Sequence, residues 1–135
     1  MPDFSKYTLA LYEGNKLICS SQDKGLRPLL DCLDKNRGKS GLILHDKVIG
    51  LAAARLIVYS GIIAQVITTV VSIPAEKYLK DNGIILRALE VAANIMTKDG
   101  KAICPGEVIA QNTQAKVDFF RKIKTMLSGQ INISP

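Results

Sequence analysis

The chain has 135 residues, 47% of them hydrophobic, with no Trp and few aromatics, so it suits one aliphatic core and is too apolar to be disordered. Eighteen Lys and Arg against twelve Asp and Glu give a formal charge of +6 without a charge-dense block, which suits anionic ligands and makes nucleic acid an unlikely partner. Leu56 to Ala75 is uncharged, but Ser60-Gly61 interrupts it and Pro74 ends it, which excludes a membrane span in favour of a helix, a turn and a buried strand.

Thr8 to Tyr12 and Lys16 to Ser20, joined by Glu13-Gly14-Asn15, predict a β-hairpin. Leu26, Leu29, Leu30 and Leu33 then recur at helical spacing, with Pro28 tolerated in the first turn. After a polar turn from Asn36 to Gly41, Leu42 to Leu44 suits a buried strand. A helix is expected from Asp46 to Tyr59, with Asp46 as its N-cap and Gly61 as its stop. Arg55 is the only charge inside that helix, so it should be covered by the sheet on one side and by another helix or a second subunit on the other. Ala64 to Thr69 is a second buried strand, Ser72-Ile73-Pro74 opens a helix through Leu79, and Asn82-Gly83 closes it. Ile84 to Leu86 reads as a short edge strand, Ala88 to Ile95 as a helix, and Lys98-Asp99-Gly100 as a turn.

Cys104-Pro105-Gly106-Glu107 opens one last helix, with an apolar stripe of Val108, Ile109, Ala115, Phe119, Phe120, Ile123 and Leu127 and an end at Gly129. A loose tail is expected from Gln130 to Pro135. A hairpin followed by alternating helix and strand implies a mixed α/β sheet with helices on both faces. Cys19, Cys32 and Cys104 form no C-x-x-C pair, and Met-Pro-Asp-Phe does not resemble a signal peptide. A reducing cytoplasm is therefore expected, with Cys19 and Cys32 as packing residues.

The candidate site lies in Gly41 to Ala54. Open α/β sheets bind ligands at strand carboxyl ends, beside helix N-termini that attract anions. There His45, the only histidine, stands next to Asp46 and Lys47. Asp46 suits a helix cap or an acid or base. Lys47, at a helix start where a cation is unfavourable, suits a base or an anion clamp, unless it simply points to water. Gly50 allows close helix-to-strand approach or offers its backbone to a ligand, and His45 is a hydrogen-bonded boundary residue or a proton carrier. Cys104 opens a helix, a place for a nucleophilic or ligand-contacting thiol or for a plain cap, and Glu107 forms a capping-box-like arrangement with it. Lys24 and Arg27, following the second strand, can reach the same mouth and hold a phosphate or carboxylate. No G-x-S-x-G, P-loop or dinucleotide fingerprint is present.

Four pieces occur in order: Gly25-Leu26-Arg27-Pro28-Leu29-Leu30; Asp46-Lys47-Val48-Ile49-Gly50 with Ala52-Ala53-Ala54; Ser72-x-Pro74-Ala75 with Asn82-Gly83-Ile84; and Asp99-Gly100 with Cys104-Pro105-x-Glu107. This set resembles the prokaryotic family called domain of unknown function 1893, over about residues 7 to 110. The resemblance implies a cytidine-deaminase-like fold: a three-layer α/β/α sandwich with a five-stranded mixed sheet and no settled activity. It places a deaminase-like domain at residues 1–111, with 112–135 as the remainder of the C-terminal helix and a tail packed on the same domain. Zinc deaminases draw their metal ligands from an H-x-E and a P-C-x-x-C segment, each at a helix start. The corresponding places here read Gln22-Asp23-Lys24-Gly25 and Asp46-Lys47-Val48-Ile49, so no metal, no other cofactor and no zinc-dependent deamination are expected.

The leading expectation is a small anionic or nucleotide-like ligand beside Asp46, Lys47 and Cys104, with any catalysis a metal-independent proton or group transfer. Gly50, Lys24, Arg27, His45 and Glu107 would contact the ligand. The alternative is a non-catalytic structural or interaction module, a homo-oligomer assembled on the all-round apolar helix.

Overall fold

A computed structural model describes the backbone of residues 2–97 and 99–132 and the side chains as far as Gly129, Lys98 excepted. It contains β1 (Leu9–Glu13), β2 (Lys16–Ser21), α1 (Arg27–Lys35), β3 (Leu42–Asp46), β4 (Val48–Ile49) and α2 (Leu51–Ser60). Then follow β5 (Ile63–Ser72), α3 (Ile73–Asp81), β6 (Ile85–Ala92), α4 (Pro105–Asn112) and α5 (Lys116–Asn132). The expected hairpin is β1 and β2, turned by Gly14 at a φ of +58°. Ser72 caps α3 as expected, its Oγ accepting the Ala75 N–H at 3.3 Å.

The sheet is mixed. β1 runs antiparallel to β2 and β3, and β5 runs parallel to β3, β4 and β6. Leu42–His45 pair with the first half of β5, and Val48–Ile49 pair with Val70–Val71 farther along. Because β6 takes up the other edge of β5, β3 and β4 are two halves of one strand interrupted at Lys47. Six strands thus fill five positions.

The connections decide the layering. The chain crosses from β2 through α1 to β3, from β4 through α2 to β5, and from β5 through α3 to β6, always advancing the same way across the sheet. Right-handed crossovers between parallel strands then fall on one face. Leu9, Leu11, Leu42, Leu44 and Val66 point to that face and join buried residues of all five helices in a single core. Tyr12, Ile43, His45 and Ile67 point the other way and are only partly buried, and Ile85 is 61% exposed. Among the described residues no helix covers this second face. The expected three-layer sandwich is therefore corrected: the helices form one layer on the sheet, and α4 and α5 pack outside it.

Helix α2 is covered on both sides by its own chain. The sheet lies beneath, and above it the α4–α5 pair is held by Arg55, which is only 4% exposed. Its guanidinium donates to the carbonyls of Ala110 (3.0 Å), Thr113 and Gln114 (3.0 Å) and to the Tyr59 hydroxyl (2.7 Å). Arg55 also lies over the Phe119 ring, 4.0 Å from its centroid. The apolar circumference that suggested a subunit interface is thereby accounted for within one chain.

Three expected elements differ. The helix expected from Asp46 begins at Leu51, because Val48 and Ile49 remain paired to β5 and Asp46 closes β3. Ala88 to Ala92, expected as helix, continues β6, its backbone satisfied by parallel pairing through Ser72↔Ala92. The single last helix is two, parted at Thr113–Ala115 where the Arg55 hydrogen bonds take the freed carbonyls, and α5 runs past Gly129. Within the expected turn at Lys98-Asp99-Gly100, the Asp99 carboxylate accepts the Thr97 hydroxyl and the Lys101 N–H, and Lys98 lies outside the described residues. Of the expected loose tail, Ser134 and its two neighbours likewise lie outside them.

Cys19 and Cys32 form a disulfide that joins β2 to α1, with Cα atoms 6.0 Å apart. They pack at the core as expected, but as a bonded pair, a link the sequence reading did not include. No helix among the described residues is long and apolar enough to cross a membrane. Thiol titration of the unfolded chain should find one free sulfhydryl, Cys104, without reductant and three after reduction; three before reduction would exclude the bond.

Candidate functional site

The interruption at Lys47 shapes the site. The Lys47 N–H donates to the Thr8 carbonyl at 3.0 Å, and its own carbonyl accepts the N–H groups of Thr69 (3.2 Å) and Val70 (3.3 Å). The buried Thr68 hydroxyl adds a bond to the same carbonyl at 3.1 Å. Lys47 is thus pinned by its backbone while its side chain is exposed. Beside it opens a cleft of about 350 Å³ between the start of β1, the end of β3 and the starts of α1, α2 and α4.

Asp46, Lys47, Gly50, Cys104, Glu107 and Lys24 all line this cleft, with Leu9, Leu26, Pro28 and Ile95 as apolar wall. Asp46 follows Leu44 on the helix-side face of β3 and keeps part of its surface open to the cleft. The protein around its carboxyl disfavours the charged form and pushes it up to about 8, although the N–H groups of Val48 and Lys47 act in the opposite direction. At pH 7 Asp46 is therefore mostly a neutral acid, able to donate a hydrogen bond or a proton.

Glu107 is 3% exposed and reaches from α4 to the start of α2. Its Oε2 accepts the Leu51 N–H at 2.6 Å and its Oε1 the Ala52 N–H at 2.9 Å. Burial raises its carboxyl above the ordinary value, and these two hydrogen bonds offset only part of the rise. The capping box expected between Cys104 and Glu107 is not formed by side chains; Glu107 caps a different helix. Gly50 provides the room, since a Cβ there would stand 2.4 Å from the Glu107 carboxyl carbon.

The chain's relatives agree with this architecture. Residues 4–127 match a family described as a domain of unknown function, DUF1893. The chain belongs to the DUF1893 family. A crystal structure of a DUF1893 family protein from Thermotoga maritima is similar, with a TM-score of 0.81 and 26% identity over 91% of this chain and 84% of that one. No curated protein matches it. The DUF1893 match runs to residue 127 and includes most of α5, beyond the residues 7 to 110 that carry the sequence resemblance.

In this DUF1893 chain two predicted site residues lie elsewhere. His45 alternates with Asp46 along β3 and so points to the opposite face, where its Nδ1 lies 2.9 Å from the Tyr7 hydroxyl and its ring 4.8 Å from that of Tyr12. Burial lowers its pKa. Arg27, in the first turn of α1, does not line the cleft although its neighbours Leu26 and Pro28 do. Asp46 is not the N-cap of α2, and Lys47 lies in the strand break four residues before the helix, so the helix-dipole argument for Lys47 lapses. Thr8, Asp23 and Ile95 line the cleft without having been singled out. Asp23 was legible beside Lys24-Gly25, whereas Ile95 arrives from a loop whose path has no local signal.

The donor set here does not fit the zinc of true deaminases. His45 faces away, Cys19 and Cys32 are bonded to each other, and both Glu107 oxygens are occupied by amides; the acids and thiol left at the cleft, Asp23, Asp46 and Cys104, are not gathered into a three-ligand cluster among the described residues.

Two outcomes are expected. Gly50→Ala should lower stability by about 1–3 kcal/mol in urea unfolding, because the methyl displaces the Glu107 carboxyl from its amides. Combined with Glu107→Ala it should cost much less than the sum; strict additivity would show that the two positions do not interact. For Asp46, the folded chain holds a proton that the unfolded chain loses above about 4, its ordinary value being 3.8. Stability should therefore fall as pH rises from about 4 to about 8, and Asp46→Asn should flatten that fall.

Proposed function

We propose that this DUF1893 chain is a deaminase-like domain that binds a small anionic or nucleotide-like molecule in the cleft beside Asp46. The observation that carries the reading is the convergence of the starts of α1 and α2, each following a strand, on one cleft with a half-buried acid and two lysines. Those starts correspond to the two places where zinc deaminases keep their ligands, which supports the cytidine-deaminase-like reading of the fold.

The anionic part of the ligand is held by Lys47 and Lys24 at the rim. The amides of α2, the usual anion site at such a position, are already taken by Glu107. An apolar or heterocyclic part lies against Leu26, Pro28 and Ile95. Asp46 donates a hydrogen bond or a proton from its neutral carboxyl, and the Cys104 thiol stands across the cleft as a ligand contact. Any reaction is a proton or group transfer carried by these side chains.

The second reading, a non-catalytic homo-oligomeric module, draws on a different observation: the uncovered sheet face and edge, with Ile85, Leu89 and Val91 exposed on β6. Light scattering that shows a stable dimer, with no ligand found for the cleft, would favour it.

A thermal-shift panel of nucleosides, nucleoside monophosphates and small carboxylates tests the first reading. A ligand that raises Tm should lose about tenfold in affinity in Lys47→Ala, the size of one charged contact in a partly desolvated site. Unchanged affinity for every ligand detected would overturn the assignment.

A further inference from the structure

A second concavity lies at the other end of α1 and α2, where α5 crosses them. Leu33 and Leu56 are buried at its base, the Tyr59 and Phe120 rings stand 5.7 Å apart at its side, and its volume is about 250 Å³. Lys116, Phe120 and Lys124 follow at intervals of four residues on α5, so an aromatic ring sits between two ammonium groups spaced about 12 Å along the helix. Lys116 Nζ already lies 5.2 Å from the Tyr59 centroid.

The charge around this groove is unbalanced. Arg37 stands at the rim and contacts the one lining carboxylate, Asp34, at 3.1 Å. Among the described residues the basic groups with a carboxylate partner are Arg37, Lys39, Lys77, Lys80 and Arg121, so neither Lys116 nor Lys124 has one. Behind the wall Arg55 is buried with carbonyls, a hydroxyl and an aromatic face as its partners, and no acid. The negative ends of α1 and α2 are partly tied off, Asn36 Nδ2 donating to the Cys32 carbonyl at 2.8 Å and Ser60 Oγ to that of Ile57 at 2.6 Å.

We propose that this groove is a second binding site, for a small organic anion: a carboxylate or sulfonate carried on an aromatic or short acyl body. The body inserts against Leu33, Leu56 and Phe120, and the anionic head meets Lys116 and Lys124, which no carboxylate among the described residues neutralises. Charge complementarity selects this occupant. A neutral ligand of the same shape would leave both ammonium groups unpaired, and a cation would meet repulsion.

The test is a titration with 1-naphthoate, followed by the methyl spectra of leucine-labelled protein, against the uncharged 1-naphthamide. The carboxylate should shift the methyl signals of Leu30, Leu33 and Leu56, and the amide should bind about tenfold more weakly. Lys116→Gln with Lys124→Gln, both exposed and expected to leave the fold intact, should weaken the carboxylate to the level of the amide. Lys47→Ala, at the other cleft, should leave it unchanged. Equal binding of carboxylate and amide, insensitivity to the double substitution, or shifts confined to Leu9 and Leu26 would each overturn the proposal. So would the absence of any shift at millimolar 1-naphthoate.

Discussion

Arg55 carries the only charge within α2, and among the described residues no carboxylate neutralises it. A buried guanidinium is tolerable only if its donors are used, and here three carbonyls, a tyrosine hydroxyl and a phenyl face use them. The carbonyls belong to Ala110, Thr113 and Gln114, where the backbone leaves α4 and turns into α5. Satisfying the charge and satisfying the broken helix are thus the same event. Both concavities depend on it, since α4 forms one wall of the first and α5 one wall of the second.

The first cleft holds two carboxyls from distant parts of the chain that burial pushes in the same direction but that end in different roles. Glu107 keeps its oxygens in the interior by taking the first amides of α2, and the helix end stabilises the charge. Asp46 also has two N–H groups beside it, those of Val48 and Lys47, but burial outweighs them and drives it toward its neutral form. One carboxyl is thereby committed to the start of α2, and the other is a proton-bearing group open to a ligand. Pairs of acids separated in this way by their surroundings are how a protein obtains distinct acid and base roles from similar side chains.

Much of this was legible from local pattern. The hairpin followed from its Gly-Asn turn, α3 from its Ser-Ile-Pro cap, and the position of the cleft from an apolar run ending in Asp46-Lys47 before a small-residue helix. What escaped had non-local causes. The break at Lys47 exists because β5 offers a partner to Val48 and Ile49 and a hydroxyl, from Thr68, to the carbonyl between the two halves. Ala88 to Ala92 has the composition of a helix, and only the neighbouring edge of β5 makes it strand. The Cys19–Cys32 bond joins a strand to a helix across a fold that no spacing rule encodes. The layering was misjudged because element order alone does not show which way the chain advances across the sheet; pairing does.

The meeting of Gly50 and Glu107 has a consequence for how this domain can drift over generations. A side chain at position 50 and a full-length acid at position 107 exclude each other, and removing the acid strands two amides. Neither position can change first without loss, so accepted changes should arrive together or not at all. Sequence records of the lineage would then show the two sites, 57 positions apart, varying as a unit.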